Sequence, residues 1–253
     1  MTGDEYLQRL LATITAPTGA MGPGEKVRQG LAGTIGQWAG TQLASLTVSG
    51  SYAKGTAITG GTDVDLFVSL KSDTSNGLQQ IYDSLASHLT GAGFATRKQN
   101  VSIGITYGSW NVDVVPGKLQ NAWSQDHSLW VSRQQTWQKT NVAKHIEFVT
   151  TARCTEVIRL MKRWRNANRI EMPSFALELA TIRALEGAWF NGPAAKVIHV
   201  LTFLRDRLAS IALTDPANAS NNVAAEMSVQ EKSLVSRQAS ASLNKQYWKE
   251  IVW

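Results

Sequence analysis

An α+β fold is predicted, with strands and helices mixed in the first half of the chain and helices alone in the second. Period-two runs, "LTVSG", "TDVDLFVSL" and "SIGITYGSWNVDVVPG", fall in the first half. From residue 134 onward apolar residues recur at three- and four-residue spacing. At 253 residues and 43% hydrophobic, the chain can bury a sizeable core as one large domain or two modest ones.

Taken in order, residues 3–15 place Tyr6, Leu7, Leu10, Leu11 and Ile14 on one helical face and stop before Pro17. "PGEKVRQGLAGTIGQWAGTQLASL" opens with Pro23 near a helix start and predicts a long helix over 23–43. Two strands follow, "LTVSG" and "TDVDLFVSL". The helix "GLQQIYDSLASHLTGAG" is stopped by Gly91 and Gly93. "SIGITYGSWNVDVVPG" reads as two strands around Gly108, ended by Pro116. Helices are then expected over about 134–149, 151–167, 174–188, 194–209 and 223–243, with no internal repeat.

A net charge of +6 suits an anionic partner such as nucleotide or nucleic acid, although many basic proteins are merely soluble. The single cysteine, Cys154, excludes an internal disulfide and a zinc ribbon and suits a reducing compartment. The N-terminus lacks a basic, apolar leader and no window reaches the length of a membrane span, so a cytoplasmic protein with no membrane partner is expected.

The chemistry is carried by three acids. Asp63 and Asp65 are two residues apart in a strand and face one side, while Val64, Leu66 and Val68 face the core. "NVDVV" repeats the device, with Asp113 beside Asn111 and against Val112 and Val114. If the two strands are neighbours, three carboxylates converge, and their repulsion calls for cations. Mg²⁺ prefers carboxylate oxygen and bridges phosphates; two such ions support in-line phosphoryl displacement by a hydroxyl. For "DVD" alone, an edge strand with an acidic outer face explains as much. Gly50 and Ser51 shift the balance, because a strand followed by Gly-Ser lets backbone N–H groups and a hydroxyl approach a triphosphate. Gly55, Gly60 and Gly61 let the loop turn back toward the acids.

"GSYAKGTAITGGTDVDLFV" resembles the signature of the polymerase-β-like nucleotidyltransferase superfamily, in the branch of oligoadenylate synthases, cGAS/DncV-like enzymes (CD-NTases) and archaeal-type CCA-adding enzymes. The resemblance implies that Asp63, Asp65 and Asp113 hold two Mg²⁺ ions, with Mn²⁺ as an alternative. Asp113 would also help deprotonate the acceptor hydroxyl, and Gly50 and Ser51 would hold the triphosphate. "IRLMKRWRNANRIEMPSFALELATIRAL" resembles a triphosphate-binding helix followed by a Ser-aromatic pair, which maps onto Lys162, Ser174 and Phe175. "LTDPANASNNVAAEM" resembles a segment near the nucleoside, with Asp215 and Asn222 as the matching positions. A polymerase-β-like catalytic lobe over 1–150, including the long N-terminal helix, and a helical nucleotide-binding lobe over 151–253 are implied, with the active site in the cleft between them.

That resemblance implies a template-independent enzyme that joins NTPs or dNTPs into a short cyclic or linear oligonucleotide, in bacterial antiphage defence, for a co-encoded effector to read. The length disfavours CCA addition, and the cysteine count a zinc-bearing DNA sensor. Hailong-type nucleotidyltransferases are the linear case. A small-molecule or protein nucleotidyltransferase is the rival enzyme class, and a non-catalytic nucleic-acid-binding module the rival without chemistry.

Trp110, Trp123, Trp130, Trp137 and Trp164 are expected in the core, His88, His127, His145 and His199 in structural or exposed positions, and Cys154 as a buried hydrophobe. The tail "EKSLVSRQASASLNKQYWKEIVW" is hydroxyl-rich. It reads as a final amphipathic helix packing through Leu234, Leu243 and Trp248, or, if it loses fixed structure after about residue 243, as an arm that offers Tyr247 as a primer hydroxyl.

Overall fold

The computed structural model describes residues 1–61 and 63–253 and resolves into two compact units. A strand unit comprises Pro17–Gly55 and Thr62–Ile146; a helical unit comprises Met1–Ala16, Thr56–Gly61 and Glu147–Trp253. Residues 1–16 and 56–61 belong to the helical unit, because their apolar side chains pack there.

Helix α1 (Gly3–Ile14) opens the chain. The strand unit follows with α2 (Pro23–Ala39), β1 (Leu43–Val48), the single turn α3 (Gly50–Ala53), β2 (Val64–Leu70), α4 (Leu78–Gly91), β3 (Arg97–Lys98), β4 (Ile103–Tyr107), β5 (Trp110–Leu119), β6 (His127–Val131) and β7 (Thr136–Thr140). Pro23 sits in the first turn of α2, where its missing N–H has no partner to lose. Gly40, at φ +52, ends that helix short of the expected residue 43.

The strands form one mixed sheet ordered β1-β2-β5-β4-β3, with β6 also paired to β5 and β7 paired to β6. Only the central β2–β5 pair is parallel; every other pairing among the described residues is antiparallel. Val64, Leu66, Val68, Val112 and Val114 form the buried face, packed with Val27, Leu31 and Ile35 of α2 and Ile81, Leu85 and Leu89 of α4. The alternation of side-chain direction along a strand turns Asp65 and Asp113 to the opposite face.

Two sequence expectations change here. Pro116 does not end β5, which runs on to Leu119. It sits where β5 exchanges neighbours, β4 pairing as far as Val114 and β6 from Lys118, so the missing N–H removes no antiparallel ladder bond. The helix expected over 134–149 begins only at α5 (Val142–Thr151), and its first residues are instead β7. Asn141 caps α5, its Oδ1 accepting from the Lys144 N–H at 3.0 Å.

The helical unit continues with α6 (Thr155–Ala167), α7 (Ser174–Leu185), α8 (Gly192–Arg207), the hairpin of β8 (Thr214–Asp215) and β9 (Asn218–Asn222), and α9 (Val229–Leu243). Its core gathers Leu7, Leu11 and Ile14 of α1 with Leu160, Met161 and Trp164 of α6, Leu177 of α7, Leu201 of α8 and Val235 of α9. Burying each such aliphatic side chain contributes about 1.5–3 kcal/mol, which is why α1 joins this unit despite its place in the sequence. No helix among the described residues is long and apolar enough to cross a membrane.

Candidate active site

The parallel register sets Asp65 directly beside Asp113 and continues Val64 beside Val112. Residues in register across a sheet share a face, so the two carboxylates stand together. Asp63 precedes β2, with Thr62 outside the described residues, and Asn111 Nδ2 donates to its Oδ1 at 3.3 Å. Burial first, and the Asp63 carboxylate second, push the Asp113 carboxyl above its usual range; bonds from Gln99 and the charge of Arg97 work against that rise. Asp63 also lies near enough to Tyr52 to add to the upward push that burial gives its phenol.

Gly50 opens α3 at φ +56, and a Cβ there would overlap the Asp65 carboxylate. Glycine is required twice over, by the left-handed backbone and by the close approach. The buried Ser51 follows it, and the Ser49 N–H donates to the Asp65 carbonyl at 2.8 Å, tying the turn to β2. Gly50→Ala is therefore expected to abolish turnover by displacing Asp65 and to lower stability by about 1–2 kcal/mol through backbone strain. Gly40→Ala is the control: it shares a left-handed φ, with nothing within 4 Å of its Cβ, and should lose stability alone. Paired melting curves and product assays check this, and an active Gly50→Ala would refute the close approach.

Among the described residues no three His, Cys, Asp or Glu side chains are drawn tightly enough to form a preassembled metal cage. Asp63 and Asp113 each turn an oxygen to an amide donor, as like charges do when they share a face. The donor set nevertheless fits a hard divalent cation. It is all carboxylate oxygen, Asp65 and Asp113 stand on adjacent strands with Asp63 just before the first, and the Asp63 charge that adds to burial in raising Asp113 is what a cation relieves.

In the helical unit the expected nucleotide contacts fare differently. Lys162 is 1% exposed, and its Nζ donates to Glu178 Oε1 at 2.7 Å and to Thr56 Oγ1 at 3.0 Å. Its charge is paired with a buried carboxylate. Ser174 begins α7 and accepts from Arg165 Nη1 at 2.9 Å; Phe175 is half-buried against the core. Asp215 is buried, accepting the Ala217 N–H at 2.8 Å and the Asn221 Nδ2 at 3.2 Å. Asn222 Oδ1 accepts from the Leu213 and Ala224 N–H groups at 2.9 and 3.1 Å. Both residues shape the β8–β9 hairpin and its exit, which is what Asx side chains do in turns.

The tail is no loose arm. Tyr6 Oη donates to the Val252 carbonyl at 2.9 Å, and Ile251 and Val252 are buried. Leu243 and Trp248 pack on the core, whereas Leu234 is exposed; Tyr247 is exposed on a segment held at both ends. Trp164 is fully buried, Trp110 and Trp130 pack partly, and Trp123 and Trp137 are exposed. Trp123 projects because Asn121 Oδ1 accepts the N–H groups of Trp123 and Ser124 in an Asx turn. His88 and His127 are structural, bonding the Thr34 carbonyl and Ser69 Oγ. Burial pushes the Cys154 thiol up to about 11, so it is inert.

Residues 37–122 match the family model described as a nucleotidyltransferase domain. The chain is 25% identical over 240 residues to the cyclic AMP-AMP-AMP synthase of Escherichia coli (strain MS 115-1), covering 79% of this chain and 75% of that protein. It superposes on E. coli MS115-1 CdnC with ATP at a TM-score of 0.77 and 20% identity, covering 96% of this chain and 91% of that one. Elizabethkingia meningoseptica CdnE, a cyclic dinucleotide synthase solved with GTP and Apcpp, superposes at 0.74 and 12% identity, covering 97% and 100%. Residues 37–122 thus match a nucleotidyltransferase domain, and the chain as a whole shares the fold of the CdnC and CdnE structures.

Proposed function

We propose that the protein joins nucleoside triphosphates into a short cyclic oligonucleotide that signals in bacterial antiphage defence, with pyrophosphate as the other product. The observation that carries this reading is the register of Asp65 beside Asp113, with Gly50 pressed against Asp65. Similarity to a cyclic AMP-AMP-AMP synthase and to a cyclic dinucleotide synthase favours a cyclic product over a linear one and over nucleotide transfer to a small molecule or protein.

Asp63, Asp65 and Asp113 would hold two divalent cations, Mg²⁺ by their all-oxygen chemistry. When bound, such ions neutralise triphosphate charge and polarise the attacking and leaving oxygens. The chain's own groups do the rest. The Gly50–Ser51 turn offers backbone N–H groups to the triphosphate. Asp113, with its raised proton affinity, accepts the proton of the acceptor hydroxyl as the new O–P bond forms at the α-phosphorus. The α–β bridging P–O bond breaks and pyrophosphate departs. Ser174 and Phe175, at the start of α7, are the proposed nucleoside contacts, Phe175 by stacking. A dedicated effector would read the product.

The test is incubation with each NTP and dNTP and Mg²⁺, singly and mixed, with mass spectrometry before and after phosphatase. A phosphatase-resistant product lighter than its linear counterpart by one water supports ring closure. Phosphatase-sensitive ladders would make the enzyme a linear oligomer synthase. Nucleotide found only on protein or on an added aminoglycoside would overturn the reading.

A further inference from the structure

We infer that Gln99 is a positioning residue for Asp113, reaching it through a gap that Gly104 keeps open. Three cross-strand pairings, Asp65 with Asp113, Asp113 with Gly104 and Gly104 with Arg97, form one continuous row on one face of the sheet. Gly104 is the only member of that row without a side chain. A Cβ there would stand 2.7 Å from Gln99 Nε2 and 3.3 Å from both Asp113 Oδ1 and Arg97 Nη2. Its backbone needs no glycine, since its φ is not among the positive ones. The space is what requires glycine, and Gln99 Nε2 uses that space to donate to Asp113 Oδ1 at 2.8 Å.

The amide is locked rather than incidental. Ser102 Oγ donates to Gln99 Oε1 at 3.2 Å, which fixes the oxygen end and leaves the NH₂ end for Asp113. The Gln99 N–H donates to the Ser102 carbonyl at 2.9 Å. Its own carbonyl accepts from Tyr82 Oη at 2.5 Å and Ser132 Oγ at 2.8 Å. Tyr82 is buried in the sheet core and Ser132 follows β6, so the residue is tied from both sides. A carboxylate held by a locked amide presents its remaining lone pairs in one orientation, which is what partners behind a metal ligand contribute.

The inference rests on the reading of Asp113 as a metal-holding acid. The test uses Gln99→Met, of similar length without a donor, and Gly104→Ala, whose methyl displaces the amide while Gln99 itself is unchanged. Mn²⁺ affinity of the nucleotide-free protein by electron paramagnetic resonance is measured beside kcat, KM and the melting temperature. Both variants should bind Mn²⁺ roughly tenfold more weakly and lose kcat by about tenfold, with KM for nucleotide within about twofold. Added to Asp113→Asn, Gln99→Met should weaken Mn²⁺ binding no further, because the two act as a unit. Wild-type Mn²⁺ affinity and kcat in both variants overturn the inference, as does a loss that only tracks the folded fraction. Asp113→Asn that still forms product overturns the reading of Asp113 itself. An inactive Asp113→Asn beside a fully active Gln99→Met overturns the Gln99 role alone.

Discussion

Replacing Asp63 and Asp65 together by alanine should abolish product formation while leaving the fold at least as stable as it is. The two effects have one cause. Like-charged carboxylates repel each other, and burial first and the Asp63 carboxylate second raise the proton affinity of Asp113. Removing the neighbours relieves the folded state. The same removal takes away two of the three acids that would hold the cations. The rate loss should be several hundredfold or more, about 3.5 kcal/mol of transition-state stabilisation, since electrostatic stabilisation by metal ions supplies several. Asp63→Asn with Asp65→Asn, which keeps side-chain shape beside Gly50, should be equally inactive. Product yield by mass spectrometry and melting temperature are measured on the same preparations. Full activity in either double variant would remove the acids from the mechanism. Inactivity accompanied by unfolding in both would make them structural.

The acids were legible in the sequence because successive side chains of a strand point to opposite faces. "DVD" and "NVDVV" each place valines inward, and the carboxylates have only the other face to occupy. Gly50 was legible for the same local reason, a glycine between a strand and a serine. Gln99 carried no signal. It lies 14 residues before Asp113 on no periodic face, and only the register of β3, β4 and β5, with the space left by Gly104, brings the two together. Strand pairing is a long-range choice that spacing along one chain does not encode.

Other departures have particular causes. Helical spacing in "TWQKTNVAKHIEFVTT" extends back past Asn141, yet Asn141 is a strong N-cap and starts α5 there, leaving Thr136–Thr140 free to pair with β6. Strand β9 is built from Asn, Ala and Ser, residues of low strand propensity, and the hairpin is held by Asp215 and Asn222 instead. Those two positions resemble a nucleoside-proximal segment in sequence, while in the structure Asp215 accepts from the Ala217 N–H and the Asn221 side-chain amide and Asn222 from the Leu213 and Ala224 N–H groups. Helix α1 was read with the strands beside it, but its apolar face matches helices more than 140 residues away.

Lys162→Met should destabilise the protein by about 3–5 kcal/mol, the effect of leaving one member of a buried ion pair without its partner. The Lys162 side chain is 2% exposed and the Glu178 side chain 0%, with Nζ and Oε1 2.7 Å apart. Thr56 closes the triangle: its Oγ1 donates to Glu178 Oε1 at 2.6 Å while accepting from Lys162. Thr56 itself opens a segment held against the end of α1, where the Ala16 N–H donates to the Ala57 carbonyl and the Thr59 N–H to the Ile14 carbonyl, at 3.3 and 2.8 Å. Methionine keeps the length of the lysine and loses its charge, so the Glu178 carboxylate remains in the core among apolar helices. At about 2–4 °C per kcal/mol for a chain of this size, the melting temperature should fall by roughly 6–20 °C. Lys162→Met with Glu178→Leu should recover much of that loss, because an apolar pair leaves no buried charge behind. A phosphate-binding lysine behaves in the opposite way: its removal raises KM for nucleotide and leaves the melting temperature in place. A Lys162→Met variant with unchanged stability and a raised KM would therefore support the triphosphate role implied by the resemblance. A deep loss of stability in the single variant, with recovery in the double, would establish the ion pair as the reason the lysine is there.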